Sequence, residues 1–396
     1  MQPKTADVRR PRRSTGDQPF IVIWEATQAC ALACKHCRAS ARPHRDPLEL
    51  TTDEAFTLMR QIADFGTPHP LFVITGGDPF QRPDLTELVR HGTELGLAVS
   101  VSPSGTQTLT ADALAALRSA GARAISLSID AADAEKHDRF RGVLGVYEQT
   151  ERAWRDAMDL GLRVQINTTV TRDTVVDLPR IAATVHERGV LLWSVFFLVP
   201  TGRGRDLGAL SAAETEDVLH ALYDVGRTVP VKTTEAHHFR RVYLQRSILD
   251  RHGVPATELG LGDLYHRLRR EMKDLGLLDQ PERVRRPPMR VSSGDGFIFI
   301  SHRGEVHPSG FLPLTAGNVR ARSLVDIYRT APLLTSLRDP TMLRGRCGAC
   351  EFRGVCGGSR ARAYAVTDDV YGEEPACSYE PGSFPYQEEL AELTSR

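Results

Sequence analysis

The chain has 396 residues, 50 basic and 50 acidic side chains and no net charge at neutral pH. This length favours one large domain with a smaller one appended, and the balanced charge removes the electrostatic basis for binding nucleic acid or an anionic membrane. The longest apolar run, residues 191–200, is too short to span a bilayer, so we expect a cytoplasmic protein without a membrane or nucleic-acid partner.

The first 19 residues carry four arginines and no apolar segment, which predicts a disordered basic arm and not a secretory signal. From residue 20 to 235, short apolar runs alternate with helical patterns, and several helical patterns end at a glycine such as Gly66 or Gly96. The apolar runs are residues 21–24, 71–75, 98–101, 124–129, 164–170 and 192–198.

Six strand–helix units predict an α/β fold with a parallel sheet, in the form of a partial, laterally open (β/α)6 TIM-like barrel. Ligands of such sheets bind at the carboxyl ends of the strands, so motifs that follow the strands should share one rim. Residues 236–290 are predicted to be a helical connection. Residues 291–396 are predicted to form a small C-terminal domain, which begins with a hairpin that turns at Arg303 and Gly304.

Seven cysteines fall into two groups, and the first group follows the first apolar run with the spacing C-x3-C-x2-C. An odd number of closely spaced cysteines without an export signal favours metal ligation. Three thiolates on one loop can hold three irons of a cubane cluster and leave the fourth iron open. A zinc or electron-transfer site with His36 or a distant cysteine as fourth ligand is the alternative. This group consists of Cys30, Cys34 and Cys37.

The second cysteine group lies in a short glycine-rich region near the C-terminus. Its four thiolates are enough to close a second cluster, although a structural zinc site has a similar pattern. The group consists of Cys347, Cys350, Cys356 and Cys377.

A C-x3-C-x2-C motif after the first strand of a strand–helix barrel resembles the radical S-adenosylmethionine (SAM) superfamily. The resemblance implies that the amino and carboxylate groups of SAM chelate the open iron of a [4Fe–4S] cluster. It also implies reductive cleavage to a 5′-deoxyadenosyl radical that abstracts hydrogen from a substrate, and a reducing electron donor of the flavodoxin or ferredoxin type. The residue before the last cysteine is usually aromatic in this superfamily and packs near the adenine, and here it is His36.

Four segments after the predicted strands look like the SAM-binding segments of the superfamily. The second run is followed by a Gly-Gly-Asp-Pro sequence similar to the Gly-Gly-Glu motif, whose carbonyls and acidic side chain would hold the methionine ammonium. Polar residues at strand ends that only satisfy turns are the alternative. The implied SAM-binding residues are Gly76, Gly77, Asp78, Pro79, Ser104, Ser128, Asp130, Arg141 and His36.

Cationic and titratable residues near the last predicted strand are candidates for binding a substrate, and a solvated surface is the alternative. They are Arg203, Arg205, His237 and His238. No catalytic acid or base can be assigned, because Glu235, His237, His238 and Tyr243 are equally plausible.

The second cysteine group resembles the SPASM and twitch extensions, which carry auxiliary [4Fe–4S] clusters. Full SPASM domains place a further cysteine in the hairpin where this chain has Ser309, so we predict one auxiliary cluster bound by four cysteines. The stretch from Cys350 to Tyr364 looks most like the enzymes of heme d1 and alternative heme biosynthesis, which act on tetrapyrrole propionates. Related enzymes modify ribosomal peptides, so the substrate is a tetrapyrrole or a peptide; a non-enzymatic zinc-binding structural protein is a third hypothesis.

Overall fold

The structure, a computed structural model, describes residues 8–39, 41–281 and 286–395. The strands are β1 (Ile21–Glu25), β2 (Leu71–Thr75), β3 (Ala98–Val101), β4 (Ala124–Ser128), β5 (Arg163–Val170), β6 (Leu192–Phe197), β7 (Val231–Thr234), β8 (Ser292–Ser293), β9 (Gly296–Ile300), β10 (Glu305–His307) and β11 (Gly317–Asn318). The barrel helices are α1 (Thr52–Ala63), α2 (Leu85–Glu94), α3 (Ala111–Ser119), α4 (Ala134–Arg141), α5 (Val146–Asp159), α6 (Leu178–Arg188) and α7 (Ala212–Val225). The remaining helices are α8 (Phe239–His252), α9 (Asp263–Asp274), α10 (Leu324–Thr330), α11 (Pro332–Leu337), α12 (Gly345–Ala349), α13 (Arg360–Thr367) and α14 (Gln387–Ser395).

Strands β1 to β7 pair side by side and in parallel, which confirms the α/β fold with a parallel sheet. Among the strands from β1 to β7, only β7 was not predicted from the sequence, because this strand lacks an apolar run. Three of its four residues, Lys232, Thr233 and Thr234, are polar and half-buried. The sheet is open between β7 and β11, so the barrel is partial.

The two faces of the barrel sheet differ in burial. Along β5 the side chains alternate strictly, with Val164, Ile166 and Val170 buried under the helices while the inward residues stay half-buried. The interior of the barrel therefore keeps access to solvent along this strand. No helix within the described residues is long and apolar enough to cross a membrane.

The C-terminal segment continues the barrel sheet directly. Strand β9 pairs in parallel with β1, in the register Ile21 to Phe297, and the predicted hairpin of β9 and β10 turns at Gly304 with a φ of +83°. The sheet order is β11, β10, β9 and then β1 to β7. The first and the last thirds of the chain thus share one sheet.

The N-terminal segment packs against the C-terminal part, so the prediction of a disordered arm is wrong for residues 8–19. Val8 is buried, and Arg9 forms a backbone bridge to Met289 while its Nε donates to the Pro287 carbonyl at 2.8 Å. The Arg9 side chain thus has a carbonyl partner, which the composition alone does not reveal. Residues 1–7 lie outside the described residues, as do residues 282–285 of the predicted connection.

Candidate cofactor-binding site

The first cysteine loop leaves the carboxyl end of β1 and gathers its thiols in one small apolar cluster. Cys30 and Cys34 are 8% exposed and pack with Leu32 and Val146, and Cys37 lies at the edge of this cluster. The Cys30 N–H donates to the Arg42 carbonyl at 2.8 Å, which fixes the start of the loop. The three thiols therefore lie together at the carboxyl end of the sheet.

The chemistry of these three thiols suits iron–sulfur ligation. Burial raises the pKa of the Cys30 and Cys34 thiols, so a metal cation is the partner that would keep them as thiolates. The Leu32 N–H donates to the Cys30 sulfur at 3.3 Å, and the Ser104 hydroxyl, which donates to the Gly77 carbonyl at 2.6 Å, lies 3.5 Å from the same sulfur. Such contacts to cluster sulfurs are typical of iron–sulfur proteins.

The two glycines after β2 allow one loop to pack on another, which differs from the predicted approach to a ligand. A Cβ atom on Gly76 would lie 2.4 Å from the Thr27 carbonyl oxygen, and one on Gly77 would lie 2.5 Å from the Ala29 carbonyl oxygen. The Gly77 N–H donates to the Thr27 carbonyl at 2.7 Å. Any larger residue here would push the segment away from the cysteine loop.

The Asp78 carboxylate is fully buried beneath this contact. It accepts hydrogen bonds from the hydroxyls of Thr106 at 2.7 Å and Thr108 at 3.1 Å and from the Phe80 N–H at 3.2 Å. Burial, which outweighs these donors, raises the pKa of Asp78. Pro79 follows as the first residue of a short 3₁₀ helix that Asp78 caps. The Asp78 side chain thus organises the loop from below.

An ion pair closes the other side of the cysteine loop. The Arg141 guanidinium donates to one oxygen of Asp130 from Nε at 2.7 Å and Nη2 at 2.5 Å, and the Thr169 N–H donates to the other at 2.7 Å. Burial alone would raise the pKa of Asp130, but Arg141 outweighs it and the pKa is lowered. The remaining Nη1 of Arg141 lies 3.9 Å from the Cys34 sulfur. This cation therefore faces the thiols.

Two more predicted SAM-binding residues lie near these groups. The His36 ring stacks on Phe140 with a centroid distance of 4.5 Å, and burial, helped by the charge of Arg141, lowers the pKa of His36 to about 3. The ring is therefore neutral at physiological pH, and its Nδ1 has no hydrogen-bond partner among the described residues. Ser128 ends β4, is half-buried and pairs in register with Asn167.

Arg203 is brought to the site, whereas Arg205 is not. The Arg203 N–H donates to the Cys37 carbonyl at 3.0 Å, and a Cβ atom on Gly202, at a φ of +55°, would lie 2.5 Å from that oxygen. In the described structure the Nε and Nη2 atoms of Arg203 are buried without a hydrogen-bond partner. Arg205 is exposed. Arg203 thus offers an uncommitted cation beside the cysteine loop.

His237 and His238 closely follow β7, the strand at the open end of the sheet, and His238 also lies beside the second cysteine group. His238 lines the cavity of that group, and burial lowers its pKa to about 4. Burial, together with Arg240 and Arg360, lowers the pKa of His237 well below its ordinary value. Both rings are therefore neutral, which makes them poor anchors for a carboxylate.

The four thiols of the second group line one partly enclosed cavity, whose other walls include Arg241, Phe352 and Tyr379. Among the described residues, no set of three or more His, Cys, Asp or Glu side chains has the arrangement that would hold a single metal ion.

Hydrogen-bond donors and guanidinium groups surround these four sulfurs. Nη2 of Arg241 lies 3.9 Å from the Cys377 sulfur, and Nη2 of Arg360 lies 3.9 Å from the Cys347 sulfur. The Glu374 N–H donates to the Cys347 sulfur at 3.3 Å. Burial raises the pKa of Cys350 to about 12, so a nearby metal cation would be needed to keep this thiol ionised. The donor set fits a four-thiolate iron–sulfur cluster.

Ser309, which stands where a SPASM domain has a cysteine, makes a structural contact. Its hydroxyl donates to a carboxylate oxygen of Glu235 at 2.8 Å, and the Ser359 hydroxyl donates to the other oxygen. Glu235 is itself buried and has a φ of +55°. Because both oxygens are committed, this residue is a weak candidate for a general base. Sequence reasoning missed this contact, since it joins distant segments.

Comparisons with known proteins agree with this geometry. The model of the Radical SAM superfamily matches residues 24–184. The chain is 39% identical to an AdoMet-dependent heme synthase of Oleidesulfovibrio alaskensis over 92% of this chain and 88% of that protein. It is 37% identical to an AdoMet-dependent heme synthase of Methanosarcina barkeri over 92% of this chain and 97% of that protein.

More distant matches extend the comparison. A PqqA peptide cyclase of Rhodopseudomonas palustris is 27% identical over 92% of this chain and 88% of that protein. The solved structure of Streptococcus suis SuiB bound to S-adenosylmethionine has the same fold, with a TM-score of 0.63 at 16% identity, and the match covers 92% of this chain and 78% of that one.

Proposed function

We propose, from the premise that this chain belongs to the radical SAM superfamily, that it converts propionate side chains of an iron tetrapyrrole into vinyl groups. Membership makes the protein an iron–sulfur enzyme that uses a [4Fe–4S] cluster and SAM. The observation that carries the substrate proposal is the 39% identity, over nearly the whole chain, to a relative named AdoMet-dependent heme synthase.

The proposed reaction balances at the side chain. A propionate that becomes a vinyl group loses one hydrogen atom from the carbon next to the ring, then carbon dioxide and one electron. When bound, the cluster with SAM supplies the adenosyl radical that takes the hydrogen atom. The protein must therefore hold a carboxylate near the cysteine loop, keep water away and provide a route for the released electron.

The residues around the first cysteine loop support this assignment. The Arg203 guanidinium lies beside the loop with two buried nitrogens that lack a protein partner, so it is suited to a carboxylate of the substrate or of SAM. The His36 ring, neutral and stacked on Phe140, offers an aromatic face for the adenine. We assign Asp78 to shaping the loop, because its carboxylate has three protein donors.

The SAM carboxylate and ribose require polar groups at the same rim. We assign them to the segment that holds Asp130 and Arg141 and to Ser104 and Ser128, which lie next to it on the ends of β3 and β4. The Arg141 charge near Cys34 would also stabilise the thiolate there. Gly76 and Gly77 would keep this rim in contact with the cysteine loop.

The second cysteine group is proposed to hold one auxiliary [4Fe–4S] cluster, bound by Cys347, Cys350, Cys356 and Cys377. When bound, it would supply a one-electron acceptor for the reaction at the substrate. The first cluster needs a separate reductant, for which a flavodoxin or ferredoxin is proposed. Thiol-bound clusters require a reducing compartment, so we propose a cytoplasmic location.

The experiment is an anaerobic assay of the reconstituted protein with SAM, dithionite and iron coproporphyrin III. We expect 5′-deoxyadenosine together with a porphyrin in which propionates have become vinyl groups, both measured by mass spectrometry. If 5′-deoxyadenosine forms but the porphyrin is unchanged, the tetrapyrrole proposal is wrong. A peptide substrate, as in the peptide cyclase relative, would then be the candidate to test.

A further inference from the structure

A row of polar side chains crosses the interior of the barrel at one level of the sheet. Ser128 on β4 pairs in register with Asn167 on β5, Asn167 with Ser194 on β6, and Ser194 with Lys232 on β7. The neighbours of these residues along the strands, such as Ile166 and Val195, are buried under the helices on the other face. The row therefore begins at the proposed SAM site and ends at a cation.

Lys232 has no hydrogen-bond or ion-pair partner among the residues that the structure describes, although its side chain is half-buried. Burial, followed in weight by the nearby charge of Arg286, lowers the pKa of Lys232 to about 8. Holding a cation away from water without an anion is unfavourable, because little compensates for the lost hydration.

The fully buried arginines of the described chain have partners in the protein, unlike Lys232 and the half-buried Arg203. Arg241, for example, pairs with the Glu216 carboxylate at 2.5 Å. The buried arginines with side-chain hydrogen bonds are Arg82, Arg240, Arg241, Arg246, Arg360 and Arg362. Glu235 follows Lys232 closely in the sequence, and Asp130 follows Ser128 of the interior row. Both carboxylates already accept hydrogen bonds, Glu235 from two serine hydroxyls and Asp130 from Arg141. Neither of these carboxylates is therefore free to pair with Lys232.

We propose that Lys232 binds a carboxylate of the substrate inside the barrel, a proposal that rests on the function proposed above. Arg203 follows the carboxyl end of β6, whereas Lys232 lies within the neighbouring strand β7, so two cations without a described partner lie at different depths of the barrel. Two separated cations match a substrate that carries several carboxylates on a rigid frame, as a porphyrin with propionates does. The half-buried Asn167 offers a neutral amide between Lys232 and the proposed SAM site.

The test is equilibrium binding of iron coproporphyrin III to the reconstituted protein without SAM, followed by porphyrin absorbance. We expect Lys232→Met to weaken binding about tenfold or more, and Lys232→Arg to recover most of the affinity, because an ion-paired hydrogen bond is lost and restored. Arg205→Met, which removes an exposed cation of the same rim, should bind like the wild type. For the tetramethyl ester of the porphyrin, Lys232→Met and the wild type should bind equally.

Two outcomes separate this inference from the proposed function. If the wild type binds the porphyrin and Lys232→Met binds it equally well, the role of Lys232 is wrong while the function stands. If the wild type neither binds nor converts the porphyrin, the proposed function fails and this inference fails with it. Formation of 5′-deoxyadenosine without porphyrin should be the same in the variant and the wild type, and Lys232→Gln should repeat the binding loss of Lys232→Met.

Discussion

The two cysteine groups of this chain differ in the number of their thiols and in the charges around them. The first has three thiols beside the barrel interior, and Arg141, whose guanidinium lies near the Cys34 sulfur, is bound to Asp130. The second has four thiols around a partly enclosed cavity, with the guanidinium groups of Arg241 and Arg360 near the sulfurs. An incomplete ligand set leaves a position for a reactant, whereas a complete one surrounded by cations favours electron storage.

Removing one thiol from each group should separate their roles and gives the largest expected effect. Cys34→Ala should abolish 5′-deoxyadenosine formation and leave about four irons of the eight that two [4Fe–4S] clusters contain. Cys350→Ala should also lose about four irons but retain 5′-deoxyadenosine formation, because the first group stays intact. Iron analysis and mass spectrometry measure both. Equal loss of 5′-deoxyadenosine in the two variants would contradict the separation.

The ion pair beside the first group can be broken next. Arg141→Leu leaves the fully buried Asp130 carboxylate without its cation, so we expect a loss of about 3–5 kcal/mol in the free energy of unfolding. Arg139→Leu is the matched control on the same helix, since its pair with Glu135 is exposed and should contribute less than about 1 kcal/mol. Urea unfolding measures both. Similar losses in the two variants would show that the buried Asp130 pair contributes no more to the free energy of unfolding than the exposed Glu135 pair.

The cations around the second group can be tested through its reduction potential. Arg360 has carbonyl partners and no carboxylate partner among the described residues, so Arg360→Met removes a charge near the Cys347 sulfur without stranding an acid. We expect the midpoint potential of the second cluster to fall by about 60 mV, which corresponds to about 1.4 kcal/mol for one electron. The potential of the first cluster should not change. EPR-monitored titration measures both, and Arg353→Met, an exposed rim residue, is the control.

The smallest expected effect concerns His302, whose contacts join the β9–β10 hairpin to the N-terminal part of the barrel. His302 of the β9–β10 hairpin lies 3.2 Å from a Glu25 oxygen at the end of β1 and 3.4 Å from an Asp46 oxygen. Burial opposes a charge on this ring, but the two carboxylates outweigh it and raise the pKa of His302. The charged His302 ring therefore stabilises the folded protein fully below the ordinary histidine pKa of about 6.5. This stabilisation is lost as the pH rises through the raised pKa of His302 in the folded state.

We expect the wild type to lose its stability advantage over His302→Gln as the pH is raised from about 6 to about 8, by about 1 kcal/mol or less. Thermal or urea unfolding at several pH values measures this difference. A difference that stays constant across the range would show that the pKa of His302 is the same in the folded and unfolded states.

The sequence predicted those features that local patterns encode. The cysteine spacings, the capped helices and the apolar strands are all short-range, so the parallel sheet and both thiol groups could be found without a structure. It did not predict the pairing of β9 with β1 or the Ser309 contact to Glu235, because each joins segments far apart in the chain. Strand β7 was missed for a different reason, since the polar Lys232 and Thr234 of this strand face the interior.

The parallel pairing of β9 with β1 also shapes how the chain matures during translation. The edge of β1 emerges first but receives its neighbour only after about three quarters of the polypeptide has been made. An uncovered strand edge is prone to mispairing with other chains, and domains generally fold as units once their sequence is available. Nascent chains that stop before β9 should therefore expose the edge of β1 and be prone to mispairing.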